Sequence, residues 1–166
     1  MKKLFSIATL ITFSLLPTFG ADKTSLKSLP AIHLPQLEGA DIDSKEWKGK
    51  VVVIDFWATW CTGCRATIPV LNKLNDHYKS QGLMVVGVSI DKDSKEKIAK
   101  FVRKQKMNYQ ILLDADDTLS KVFGFEGIPS VFVFGKNGEL LKALPGYTPE
   151  QEKDLESIVT AQFSGK

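Results

Sequence analysis

The chain has 166 residues, 43% of them apolar and 25% charged, with a formal charge of +3. That length suits one domain with a proper core, and the composition excludes a disordered chain or a second sizeable domain. Of the 22 Lys and Arg residues, Lys2 and Lys3 sit at the extreme N-terminus, which leaves 20 against 19 acidic side chains, a balance that does not call for nucleic acid.

The opening residues have the pattern of an export signal. Lys2 and Lys3 precede an apolar run from Leu4 to Leu16, Pro17 breaks it, and Thr18 and Gly20 place small residues before a cut ahead of Ala21. The run is shorter than the roughly 20 residues a spanning helix needs, so cleavage is favoured over retention as an N-terminal membrane anchor. The mature protein is expected in an exported compartment, a bacterial periplasm.

Ala21 to Ser28 is polar and is expected to fray. Ile32 to Leu37 reads as a short extended segment followed by a turn, and Ser44 to Trp47 as a single helical turn. Val51 to Trp57 is an apolar, β-branched run, the composition of a central strand buried on both faces. From about Thr62 to Tyr78 the apolar spacing is helical, with Pro69 inside the run as a source of a kink. Leu83 to Ile90 is a second strand, expected parallel to the first because a helix joins them. Asp93 to Lys106 is an amphipathic helix with Ile98, Phe101, Val102 and Gln105 inward and Lys97, Lys100 and Lys104 in solvent.

Gln110 to Leu113 and Thr118 to Phe123 follow as a short strand and a short helix. Val131 to Phe134 and Glu139 to Leu144 flank Asn137-Gly138, a hairpin signal. The last helix opens at Thr148 with Pro149 at its first position and Gln151 completing a capping box. This order predicts an α/β fold, with a mixed central sheet that is parallel at first and ends in an antiparallel hairpin.

The chemistry gathers at Cys61 and Cys64, the only cysteines. A bridge between residues three apart closes almost no loop, so it makes a poor staple; a reversible redox pair is the better reading. Cys61 stands where a strand feeds a helix, and the unpaired N–H groups and dipole of a helix start favour thiolate over thiol. Thiolates so placed titrate at roughly 3.5–7.5, against about 8.5 for a free cysteine. Cys61 is therefore the expected exposed nucleophile and Cys64 the buried resolving thiol. Inert cysteines and half of a zinc site are the alternatives, but four ligands are not offered: the only histidines are His33 and His77. No metal and no cofactor is called for.

Asp55 lies inside the apolar strand, where burial raises a carboxyl pKa, and beneath the helix start it can act as general base for Cys64. An edge strand with Asp55 in water is the bland alternative. Pro129, in Gly127-Ile-Pro129, contributes only if its peptide bond is cis and faces the sulfurs; Ile128 would then offer its backbone to an extended substrate segment. Trp60, Thr62 and Gly63, flanking the cysteines, complete the expected substrate-binding set. Tyr147, Trp47 and Phe125 are candidates for a docking surface, with simple packing an equal alternative.

The string Val53-Ile-Asp-Phe-Trp-Ala-Thr-Trp-Cys-Thr-Gly-Cys64 resembles the active-site signature of thioredoxins. The apparent signal, the turn at Leu37-Glu38-Gly39, Gly49-Lys50 and the extra helix and strand between residues 92 and 113 are similar to exported thioredoxin-like proteins of the TlpA/ResA/CcmG group. The resemblance implies a signal peptide over residues 1–20 and a thioredoxin fold over residues 29–163, with an inserted helix-strand and an N-terminal extended segment. It also implies a monomeric periplasmic thiol:disulfide oxidoreductase with a redox-active disulfide. Such proteins reduce disulfide-containing exported proteins, apocytochrome c among them in cytochrome c biogenesis, and are recharged by a membrane electron donor. In that group the positions of Cys61, Cys64 and Pro129 carry the reaction.

Two departures stand out. Gly63 occupies a place usually held by Pro, and Thr67 one often held by Glu, while Asp55 falls where exported members often have Asn. Ile128 before Pro129 agrees with reducing thioredoxins. A disulfide oxidase or isomerase of the same fold and a Cu(I) carrier remain alternatives. A peroxidase is disfavoured because Ala58 stands where a Thr-X-X-Cys nucleophile needs Thr.

Overall fold

The computed structural model describes residues 26–165, and the apparent export signal lies outside them. Val51–Trp57 forms β3, the middle of a five-stranded sheet, and every one of its seven residues is buried. Side chains alternate across a strand, so Val51, Val53 and Trp57 enter one core while Val52, Ile54 and Phe56 enter the other. This two-sided burial is why the run is apolar at every position but Asp55.

Two short antiparallel strands, β1 (His33–Leu34) and β2 (Ile42–Asp43), precede it, followed by a 3₁₀ turn at Ser44–Trp47. After β3 come α1 (Cys64–Tyr78), β4 (Leu83–Ser89), α2 (Lys95–Gln105), β5 (Gln110–Leu113) and α3 (Leu119–Phe123). The chain closes with β6 (Ser130–Phe134), β7 (Leu140–Pro145) and α4 (Pro149–Ala161). The sheet order is β5-β4-β3-β6-β7, with β3, β4 and β5 parallel and β6 and β7 antiparallel. The mixed α/β sheet expected from the sequence is the one observed, and α1 is continuous through Pro69.

One face of the sheet packs against α1, α2 and α4 through Leu71, Leu74, Ile98, Leu155 and Val159. The other carries α3 and the N-terminal segment, held by an aromatic group. Phe56 meets Phe123 edge-on at 4.8 Å, and Phe123 meets Phe132 at 4.9 Å. A five-residue helix is far too short to stand alone in water. The burial of Phe123, about 1.5–3 kcal/mol, is what α3 depends on.

Two expectations are corrected and one open alternative is decided. Of the segment Ala21 to Ser28, expected to fray, residues 21–25 lie outside the described residues. The rest is held in place: Leu26 packs on the second core, Lys27 O accepts from Leu140 N–H, and Ser28 forms a β-bridge with Glu139. The outer edge of the hairpin's second strand supplies partners that a polar reading could not foresee. Trp47 is buried at 2% exposure, so it is core and no part of a docking surface. Thr148 caps α4 by accepting from Gln151 N–H, but the Gln151 amide donates to the Pro145 carbonyl, so the reciprocal half of the capping box is not made.

Candidate active site

The sheet brings the C-terminal end of β3 to the start of α1, and the segment between them carries the two cysteines. Their sulfurs are joined at 2.06 Å. The backbone N–H of Cys64, the first residue of α1, donates to Cys61 Sγ at 3.1 Å. One of the unpaired donors of the helix start is thus aimed at the sulfur expected to be the nucleophile. Cys61 is less open than its role suggests, at 7% exposure against 2% for Cys64, while Thr62 and Gly63 between them are exposed.

The loop that leads to Cys61 is pinned from below. Asp91, 2% exposed, accepts from Thr59 N–H at 2.9 Å, from Thr59 Oγ1 at 2.8 Å and from Ser89 Oγ at 2.8 Å. Ile90 N–H donates to the Trp57 carbonyl and Cys61 N–H to the Ala58 carbonyl. Trp60, held at the top of this loop, is 65% exposed. Sequence reasoning passed over Asp91; the only signal was an acid placed directly after an apolar strand.

Asp55 belongs to the α1 face of β3 and is fully buried, so the edge-strand alternative is excluded. Its Oδ2 accepts from Thr67 Oγ1 at 3.3 Å, and the same hydroxyl lies 2.8 Å from the Cys64 carbonyl. Oδ1 has no hydrogen-bond partner among the described residues. Burial pushes the Asp55 carboxyl from 3.8 up to about 8, and the Thr67 hydroxyl draws it part of the way back. Thr67 entered the sequence reading only as a departure from a family pattern, yet its hydroxyl lies between Asp55 and the Cys64 main-chain carbonyl.

Across the sheet Asp55 is in register with Gly87 on β4. A Cβ at Gly87 would lie 2.9 Å from Trp57 Nε1, 3.0 Å from Ile111 Cδ1 and 3.1 Å from Tyr109 Cε2. The missing side chain is therefore the space that the indole and the Tyr109 ring fill beside the carboxyl. Gly87→Ala is expected to destabilise the protein by about 1–3 kcal/mol, because three packed side chains must move for one methyl; a chemical denaturation midpoint unchanged from the wild type would refute this.

The Ile128–Pro129 bond is cis. A Cβ at Gly63 would sit 3.5 Å from Pro129 Cδ, so the proline faces the Cys-X-X-Cys turn. Gly146 N–H donates to the Pro129 carbonyl at 2.7 Å and Ser130 Oγ to the Gly127 carbonyl at 2.7 Å, which hold this loop from both sides. Ile128 is half-buried, and its peptide groups make no hydrogen bond among the described residues. Cys61, Cys64, Gly63, Pro129, Asp55 and Thr67 thus converge, with Trp60, Thr62 and Ile128 at the rim. Phe125 packs on Phe56 at 4.4 Å, and Tyr147 is hydrogen-bonded to Glu152; both have structural partners. Among the described residues no cluster of three or more His, Cys, Asp or Glu side chains could hold a metal.

A sheet of this order, with a Cys-X-X-Cys disulfide at a helix start and a cis-proline opposite, defines a thiol:disulfide oxidoreductase of thioredoxin-like fold. The comparisons with known proteins agree. Residues 26–143 match the AhpC/TSA family, and the chain belongs to that family. It is 28% identical over 151 residues to the thiol-disulfide oxidoreductase ResA of Geobacillus thermodenitrificans, covering 88% of this chain and 86% of that one. Against ResA of Bacillus subtilis the identity is 29% over 121 residues, 73% of this chain and 67% of the relative. Among solved structures, one from Chlorobium tepidum assigned as a thiol:disulfide interchange protein DsbE superposes with a TM-score of 0.77. It is 28% identical and covers 83% of this chain and 96% of its own.

Proposed function

We propose that this protein is an exported disulfide reductase that acts on disulfide-containing proteins of the cell envelope. The observation that carries the reading is Asp55, a fully buried carboxyl whose proton affinity is raised to about 8, linked through Thr67 to Cys64. A group of that affinity accepts or returns a proton near neutral pH, and the thiol it serves is the one that must lose a proton to finish the reaction.

The Cys61 thiolate attacks a substrate disulfide, forming a mixed disulfide and releasing one substrate sulfur as thiolate. Cys64 passes its proton to the Asp55 carboxylate as its sulfur attacks Cys61 Sγ. The Cys61–Cys64 bond forms, the bond to substrate breaks, and the second substrate sulfur leaves. The substrate gains two electrons, the protein loses two, and protons from Asp55 and solvent complete the substrate thiols. Pro129 covers the sulfurs from the opposite side, and the Ile128 peptide groups pair with an extended substrate strand beside Trp60, Thr62 and Gly63.

The N-terminal pattern of residues 1–20 supports export to the periplasm, and among the described residues no helix is long and apolar enough to cross a membrane. The protein acts as a monomer, a membrane thiol donor restores the reduced pair, and apocytochrome c is the substrate that the family resemblance favours.

Direction of electron flow is the point to test. Acid quenching and alkylation of intact cells should find Cys61 and Cys64 mostly reduced, and the purified protein should catalyse insulin reduction by dithiothreitol. A pair held mostly oxidised in cells would instead mark an oxidase.

A further inference from the structure

Thr67 is wholly buried, with its hydroxyl 2.8 Å from the Cys64 carbonyl and 3.3 Å from Asp55 Oδ2. A hydroxyl has one hydrogen and two lone pairs, so it cannot donate to both oxygens at once. While Asp55 holds its proton, the acid donates to Thr67 Oγ1 and the hydroxyl donates to the Cys64 carbonyl. Every hydrogen then has an acceptor. Once Asp55 is ionised, the hydroxyl hydrogen must turn to the carboxylate, and the Cys64 carbonyl loses its side-chain donor.

We propose that Thr67 is a positioning residue whose hydroxyl turns between the Cys64 carbonyl and Asp55 as Asp55 gains or loses its proton, and so couples that proton to the resolving cysteine. The proposal rests on the reading of Asp55 as the base. Its physical content is that the carboxylate is buried, that Oδ1 has no partner, and that Thr67 is the one hydrogen-bond donor to it among the described residues. A hydrogen bond to a buried charge is worth more than one to a neutral group. Removing the hydroxyl therefore penalises the ionised state selectively.

The titratable groups around Asp55 are few. Cys64, one turn before Thr67 on α1, titrates only when the disulfide is reduced. Tyr109, just before β5, is held neutral by burial, which raises its hydroxyl well above the usual tyrosine range, with a smaller push from the Asp55 charge. The β4 position in register is Gly87 and the β6 position is Val131, neither of which titrates.

The test uses the full mature chain in its disulfide form, where neither cysteine titrates, with Asp carboxyl carbons labelled for NMR. Thr67→Val and Thr67→Ala should each move the Asp55 titration midpoint upward by about one pH unit, and Thr67→Ser should restore it. The pH profile for release of a preformed mixed disulfide at Cys61, followed in a single turnover, should shift by the same amount in the same variants. A shape-only role for Thr67 would alter the denaturation midpoint of Thr67→Val or Thr67→Ala without moving either titration, and that result overturns the proposal. Asp55→Asn separates the two levels of inference. If it leaves the release profile unchanged, Asp55 is not the base. If it removes the profile while Thr67→Val and Thr67→Ala leave the midpoint in place, only the role given to Thr67 falls.

Discussion

Asp55→Asn should make the disulfide form of the protein more stable at pH 8 by on the order of 5 kcal/mol, and by almost nothing at pH 4. The sign follows from where the proton sits. In the folded protein the Asp55 carboxyl titrates at about 8, and in the unfolded chain at its ordinary 3.8. Between those values the folded state binds a proton that the unfolded state has given up, so stability falls as pH rises, by about 1.4 kcal/mol per pH unit. Above pH 8 the loss is complete and the curve flattens. Asparagine carries no charge at any pH in this window and can still accept from Thr67, so the slope disappears with it. His33 and His77 are exposed and common to both proteins, and they cancel in the comparison. Urea midpoints of wild type and variant from pH 4 to 9 should therefore start together and diverge. Parallel curves would mean that Asp55 is solvated, and the catalytic role given to it would lose its basis.

The same carboxyl shows how far the sequence could be read and where it stopped. An acid in the middle of Val51–Trp57 was legible as a buried, perturbed group because every neighbour was apolar and the strand period placed it on a core face. The strands, α1 and the hairpin at Asn137-Gly138 were legible for similar reasons, since period and turn chemistry are local properties. Partners distant in sequence were not. Thr67 meets Asp55 across 12 residues, Asp91 meets Thr59 across 32, and Gly87 yields its space to Trp57 and Tyr109; none of these follows from spacing along the chain. The cis bond at Pro129 also depends on tertiary surroundings, here the hydrogen bonds of Gly146 and Ser130 on either side of it. Cys61 illustrates the converse. Its chemistry was plain from the motif, but its exposure of only 7% was not, because burial depends on what the rest of the chain packs against it.

Cys64→Ser should trap the reaction halfway. Cys61 keeps the Cys64 backbone N–H at 3.1 Å from its sulfur, a contact a serine preserves, so attack on a substrate disulfide continues. Release then has no internal thiol and must wait for one from solution. An intramolecular attack at well-oriented groups corresponds to effective concentrations of roughly 10⁵ M or more, whereas dithiothreitol is supplied at millimolar levels. Even with much of that advantage lost to strain in the small ring, turnover should fall by about three orders of magnitude or more. A covalent adduct should accumulate that a non-reducing gel resolves and dithiothreitol removes. Cys61→Ser should lose the turnover to the same extent but form no adduct, because Cys64 is 2% exposed with its carbonyl tied to Thr67 on the inner side of α1. The order of the two cysteines stands or falls on this pair of variants: adducts on Cys61→Ser and none on Cys64→Ser would reverse it.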